Sequence, residues 1–443
     1  MASQKNPLPR YDPSLMFSKA SGAGGMPEAD LPELLAELET VKTKLLGERD
    51  NGTASFFSLP DDAAAAEGSA HLAAELSKTA KTLIVSGIGG SDLGARALVS
   101  ALATAENAER IRFIGANTDP EELSSLLEHV DLKESVLNIV SKSGGTMEPM
   151  AAFLIIEHAL REAVGDEKLK EHVMATTGTD KGALHDLATS QGYRELPIPG
   201  PIGGRFSVLT AVGLFPAEFA GVSGTRLLDG ARMMRESFLS EPVASNGPLL
   251  FAGLMVEAAR HRGQPIDVLM PYSEALRNFA FWFRQLWAES LGKATDRSGK
   301  TVHAGLTPIA SLGATDQHSQ IQLYNEGPND KVVTFIEVEN FRADIAIPAA
   351  YAEIPPVAKL GGHMMSELIH AERGATARSL ASHGRPSGTI FIDSITPESV
   401  GALMMFFMIA TSAAAEMLDV NAYDQPGVEE GKKLADAALA AKK

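Results

Sequence analysis

The chain has 443 residues, more than one hydrophobic core usually holds, so two domains are expected. Its net charge of −17 argues against nucleic acid or an anionic membrane as a partner, yet leaves room for an anionic substrate in one local pocket. It contains no cysteine, which excludes disulfides, cysteine metal sites and thiol nucleophiles and fits a cytoplasmic home.

The opening MASQKNPLPRYDPSLMF lacks the apolar core of a signal peptide. Residues 1–70 are rich in Gly, Pro and Asp and read as an N-terminal extension with one helix over 31–46. A regular alternation then begins. Strands are predicted at 82–90, 111–118, 136–145 and 172–178, with helices at 93–105, 121–130 and 147–164 between them. Strands alternating with helices imply an α/β fold with a parallel sheet covered on both faces. The pattern returns with a helix around LLFAGLMVEAARH, a strand at 265–272, a long helix at 274–290 and strands at 331–339 and 388–394. Two doubly wound domains follow, near 71–222 and 223–420, joined around GVSGT. The segment 421–443 closes the chain with a charged helix. The apolar stretch 399–415 reaches the lower edge of membrane-span length. Pro397 and Glu398 open it like a helix start and no basic anchors flank it, so a buried core helix is expected.

Two loops carry chemistry. The first strand ends in Ser86-Gly87-Ile88-Gly89-Gly90-Ser91-Asp92. A dinucleotide fingerprint would need glycine at position 92, and a P-loop would need Gly-Lys-Ser/Thr. What remains is a small-residue loop at a helix start, where the amides around Gly90 and Ser91 can face an anion or simply make a tight turn. The third strand ends in Ser141-Lys142-Ser143-Gly144-Gly145-Thr146. Its three hydroxyls and one lysine suit a phosphate monoester held as a handle; the alternative is a helix capped by Ser or Thr.

These loops and four later stretches together resemble the glucose-6-phosphate isomerase family. The six are VSGIGGSDLG (85–94), VSKSGGTMEP (140–149), GGRFSVLTAVGL (203–214), WAESLGK (287–293), DQHSQIQL (316–323) and YDQPGVEEGK (423–432). They span nearly the whole chain in the family's order. The short chain and Asp-Gln-Pro-Gly tail look like the family's compact bacterial branch. The resemblance implies two sugar-isomerase domains and a cofactor-free, metal-free enzyme. Such an enzyme interconverts glucose 6-phosphate and fructose 6-phosphate through a cis-enediol(ate), after acid/base-assisted ring opening.

It also implies roles. Glu289, ending an aromatic helix (Phe281, Trp282, Phe283, Leu286, Trp287), would be the base that moves a proton between C1 and C2. Arg205 would stabilise the enediolate, since a guanidinium holds negative charge without a proton change of its own. His318 would assist ring opening from the neighbouring subunit of a homodimer; His303, His363 and His383 are weaker competitors. Lys432 would share that task, with spacing from Asp424-Gln425 favouring it over Lys433, and Gln425 would line the sugar pocket. Gly90, Ser91, Ser141, Lys142, Ser143 and Thr146 would hold the phosphate. The family commonly carries a hydroxyl where this chain has Gly145. The competing readings are an isomerase that also accepts mannose 6-phosphate and a non-catalytic sugar-phosphate-binding regulator.

Overall fold

The computed structural model describes residues 6–179 and 181–441. The first five residues of the opening segment and the last two of the charged tail lie outside the described residues. The strands in chain order are β1 (Arg10–Asp12), β2 (Thr82–Ser86), β3 (Ile111–Ile114), β4 (Ser135–Val140), β5 (Val173–Gly178), β6 (Arg194–Ile198), β7 (Ile266–Pro271), β8 (Lys293–Thr295), β9 (Thr301–Ala304), β10 (Thr307–Ala310), β11 (Lys331–Val338) and β12 (Ser387–Ile392).

The first sheet has five parallel strands in the order β3-β2-β4-β5-β6. Alternate residues go to opposite faces, as the period of a strand requires. Leu83, Val85, Val136 and Met174 pack with Leu72, Leu76, Phe215 and Phe219 on one face. Ile84, Leu137, Ile139 and Ala175 pack with Phe153, Ile156 and Leu160 on the other. Both faces are apolar because helices cover both, which explains the continuous hydrophobic runs. The proline-rich stretch 197–201 looks like loop in the sequence, but its Pro197 and Ile198 end β6. Among the described residues this strand pairs with β5 alone, and an edge strand tolerates a residue without an N–H.

The second sheet runs β1-β12-β11-β7-β10, all parallel except β1. β1 comes from the segment read as an N-terminal extension, whose helix Leu31–Asp50 also packs its buried Leu34, Leu38, Val41 and Leu45 into the large central core. The short strands β1 and β10 escape sequence reading because they hold too few residues to show a period. The apolar stretch forms the helix Pro397–Met417, long and apolar enough to cross a membrane, yet wholly buried among the other helices. Its Phe406 and Phe407 meet Phe251 edge-on at 6.1 and 5.4 Å between ring centres. Phe407 also lies 4.9 Å from Phe283. That aromatic cluster grips one face of the helix Arg277–Leu291 and so fixes the direction of its opposite face.

Candidate active site

Both glycine loops lie at the carboxyl ends of β2 and β4. From β2 the chain moves outward to β3, then returns to β4 on the other side of β2. The reversal opens a crevice between the two strand ends, the usual ligand position in a doubly wound sheet. In the second loop, Gly144 has φ +72°, and a Cβ there would lie 2.2 Å from the Leu184 backbone nitrogen. The loop is therefore seated hard against its neighbour. Ser141 Oγ accepts the Gly144 N–H at 3.0 Å, and Ser143 Oγ accepts the Gly145 N–H at 3.2 Å, so each hydroxyl keeps its proton for an external acceptor. Thr146 stands at the N-cap of Met147–Val164 without making a side-chain cap bond. The capping alternative is thus not how its hydroxyl is used, and this helix start keeps open amides. Lys142 donates to the carbonyls of Gly200 and Ile202 at 2.5 and 3.0 Å, and burial lowers its pKa.

The first loop differs. Asp92 at its helix start is buried and takes Arg96 Nε with both oxygens at 2.8 and 2.7 Å. Burial raises the carboxyl's pKa against the pull of Arg96. This helix start is already occupied by a charge pair. The loop's other contribution is close packing: a Cβ on Gly90 would lie 2.2 Å from the Gly204 carbonyl, so only glycine lets the loop touch the turn that carries Arg205.

Arg205 lies in the turn Gly204–Leu209 and is 3% exposed. Nε donates to Ser290 Oγ at 2.9 Å and Nη1 to Gln425 Oε1 at 2.7 Å. Nη2 donates to the carbonyls of Ala422 and Asp424, the latter at 3.0 Å. Desolvation lowers its pKa, while Glu289 and Asp424 oppose that; a guanidinium stays charged regardless. Its Nη1 is 3.7 Å from Glu289 Oε1.

Of the aromatic residues near Glu289 in sequence, Trp282, Phe283 and Trp287 are buried in the core. With its side chain 25% exposed, Glu289 faces a polar strip where Gln285, one turn earlier, donates Nε2 to its Oε2 at 3.0 Å. Gln285 also touches the first loop, since a Cβ on Gly89 would lie 2.8 Å from its Nε2. Its own Oε1 is buried and has no hydrogen-bond partner among the described residues. Sequence reading passed over Gln285, although the i,i+4 spacing to Glu289 was visible. It also passed over Lys293, which is buried and donates to the carbonyls of Glu289 and Ser290 at 2.8 Å each.

The segment 421–425 closes the site and is anchored from below. Tyr423 Oη donates toward Glu48 at 3.1 Å and lies 3.2 Å from Ser412 Oγ. Arg297 pairs with both Glu48 and Glu416. Burial, then the neighbouring Glu416, raises the Glu48 carboxyl to about 7.

Glu289, Arg205 and Gln425 thus come together in one chain, bridged to the loop of Gly90 and Ser91. His318 does not join them: it is exposed after the turn Thr315–Gln317, and its imidazole makes no hydrogen bond or ion pair among the described residues. Lys432 is exposed on the helix Glu429–Ala440. Among the described residues no group of three or more His, Cys, Asp or Glu converges as a metal site. A cleft of about 470 Å³ elsewhere is lined by Glu37, Glu257, Arg260 and Arg262. Its arginines are paired with its glutamates, so it offers no spare charge to an anion.

Comparison with known proteins agrees with this architecture. Residues 67–443 match the family described as phosphoglucose isomerase. The chain is 39% identical over 424 residues to the glucose-6-phosphate isomerase of Carboxydothermus hydrogenoformans, covering 93% of this chain and 90% of that one. It is 38% identical over 357 residues to that of Thermus thermophilus, covering 81% and 83%. It superposes on the crystal structure of a hypothetical protein from Thermus thermophilus with a TM-score of 0.88 at 34% identity, covering 98% and 100%. On a glucose-6-phosphate isomerase from Chlamydia trachomatis the TM-score is 0.73 at 27% identity, covering 85% and 73%. With nearly its whole length matched in this way, the chain belongs to the phosphoglucose isomerase family.

Proposed function

We propose that this protein is an aldose–ketose isomerase that interconverts glucose 6-phosphate and fructose 6-phosphate through a cis-enediol(ate). The observation that carries the reading is the Glu289–Arg205 pair: a carboxylate at the open end of a rigid helix, 3.7 Å from a buried guanidinium. Glu289 takes the proton from C2 of the open-chain aldose and returns it to C1. Arg205 holds the charge that develops on the oxygens between. The phosphate sits at the open start of Met147–Val164, on the hydroxyls of Ser141, Ser143 and Thr146. The Gly90 amide and the Ser91 hydroxyl complete the seat, the Ser91 N–H being held by the Ile88 carbonyl at 3.1 Å, and Lys142 contributes positive charge. Gln425 contacts the sugar and sets Arg205. His318 and Lys432 open the ring.

The working unit we propose is a homodimer that supplies His318 across the interface. The exposed imidazole supports it, as do the exposed apolar side chains of Ile345, Tyr351, Ile354, Val357 and Met365 on the excursion after β11. The two sheets would centre domains near 71–222 and 223–420, working in the cytoplasm. The test is a coupled assay that detects glucose 6-phosphate formed from fructose 6-phosphate, with mannose 6-phosphate as a second substrate. Turnover of fructose 6-phosphate without an added metal ion supports the reading, and no turnover by folded protein refutes it.

A further inference from the structure

We propose that Lys293 is a positioning residue that locks the end of the catalytic helix to the segment 421–425; the inference rests on the isomerase reading above. A helix ends with carbonyls that lack partners, and a following glycine in the left-handed conformation often satisfies them. Here Gly292 has φ −72° and ψ 99°, outside that conformation. The Lys293 ammonium takes the task instead, donating to the carbonyls of Glu289 and Ser290 at 2.8 Å each. The Glu289 carbonyl belongs to the residue whose side chain is the base. The same ammonium lies 3.8 Å from Asp424 Oδ1.

These contacts close a circuit. Lys293 holds the backbone of Glu289 and Ser290. The Ser290 hydroxyl holds Arg205 at 2.9 Å. Arg205 holds Gln425 and the Asp424 carbonyl at 2.7 and 3.0 Å. The Asp424 carboxylate returns to Lys293. Base, charge stabiliser and sugar-contacting segment therefore share one frame, with the buried Lys293 at its corner. The charged groups facing the ammonium are Arg205, which repels it, and Asp424 and Glu289, which attract it. Burial, then Arg205, lowers its pKa to about 8. A neutral amine would keep its N–H donors but lose the attraction to Asp424, so the frame loosens on the alkaline side.

The test is the pH profile of kcat and KM for Lys293→Met, Lys293→Arg and Asp424→Asn, beside wild type in one assay. Misplacing a base by about 1 Å can cost on the order of 100-fold. Lys293→Met should lower kcat about tenfold or more with KM changed far less. Lys293→Arg, which stays charged, should recover much of that loss and move the alkaline limb of kcat to higher pH. The double variant Lys293→Met/Asp424→Asn should be little worse than Lys293→Met alone. A Lys293→Met enzyme with wild-type kcat and pH profile, even at lowered Tm, would overturn the proposal, as would an alkaline limb unmoved in Lys293→Arg. An inactive wild type would instead refute the isomerase reading.

Discussion

Arg205 and Gln425 stand 220 positions apart, yet Nη1 of the first donates to Oε1 of the second at 2.7 Å. That bond makes the last segment of the chain part of the wall that holds the guanidinium. Arg205 spends donors on Ser290, Gln425, Ala422 and Asp424 and keeps one edge of its Nη1 toward Glu289. A lysine has one ammonium and cannot span these partners. We predict that Arg205→Lys lowers kcat by roughly 10²–10³-fold, the scale set by loss of one preorganised transition-state partner, with a much smaller change in KM. Steady-state kinetics decide it; equal losses in binding and turnover would place Arg205 on the ground-state substrate.

The phosphate loop should behave differently. Ser143→Ala and Thr146→Ala each remove one hydroxyl donor, and a hydrogen bond to a charged oxygen contributes roughly 1.5–3 kcal/mol. KM for the sugar phosphate should rise while kcat changes little, and inhibition by inorganic phosphate should weaken in parallel. A lowered kcat with unchanged KM and unchanged phosphate inhibition would contradict a phosphate handle.

Stability should carry a pH signature from Asp267. Full burial raises its carboxyl to about 7 although the Trp287 indole N–H donates to it at 2.6 Å. The folded state thus binds a proton more tightly than the unfolded chain, whose carboxyl titrates near 3.8. This group's contribution is fully present below that lower value and is lost as pH rises through about 7. Asp267→Asn retains an oxygen for Trp287 and removes the titration. The Tm of the variant relative to wild type should therefore be more favourable at pH 8 than at pH 5, read by thermal melts. A Tm difference that does not vary with pH would refute the assignment.

Shared sites can be tested by complementation. Inactive His318→Ala and inactive Glu289→Gln are mixed under conditions that exchange subunits. If His318 reaches the partner's site, a mixed dimer has one site with both defects and one with neither. Half the dimers in an equal random mixture are mixed, so activity should recover to roughly a quarter of wild type by two-fold symmetry. No recovery despite demonstrated exchange would show that His318 serves its own chain's site or has no catalytic role.

The sequence made some of this legible and hid the rest for physical reasons. Strands β2, β4, β5, β7, β11 and β12 announce themselves because burial on both faces forces apolar runs. β6 stays hidden because Pro197 and Pro199 read as loop, and β1 because three residues show no period. Among the proposed site residues, the motifs exposed Arg205, Glu289 and Gln425, but not why they meet. Around Glu289 the sequence shows aromatic neighbours, but the contacts its carboxylate makes are polar, with Gln285 one turn earlier and with Arg205 from a distant turn. Lys293 stood in the sequence only as the last residue of the WAESLGK stretch. Only the tertiary approach of Asp424 and the carbonyls of Glu289 and Ser290 reveals a buried lysine.

The central claim is that Glu289 moves a carbon-bound proton between C1 and C2 of a phosphorylated sugar. It is tested most directly by incubating wild type and Glu289→Gln with glucose 6-phosphate in deuterated water and following deuterium incorporation at C2. The substitution keeps the shape and removes the base, and loss of a general base typically costs on the order of 10²–10⁴-fold. Wild type should incorporate deuterium during turnover, and Glu289→Gln should incorporate it slower by that factor or more while still binding the sugar phosphate. Exchange by Glu289→Gln at a rate near wild type would contradict the account.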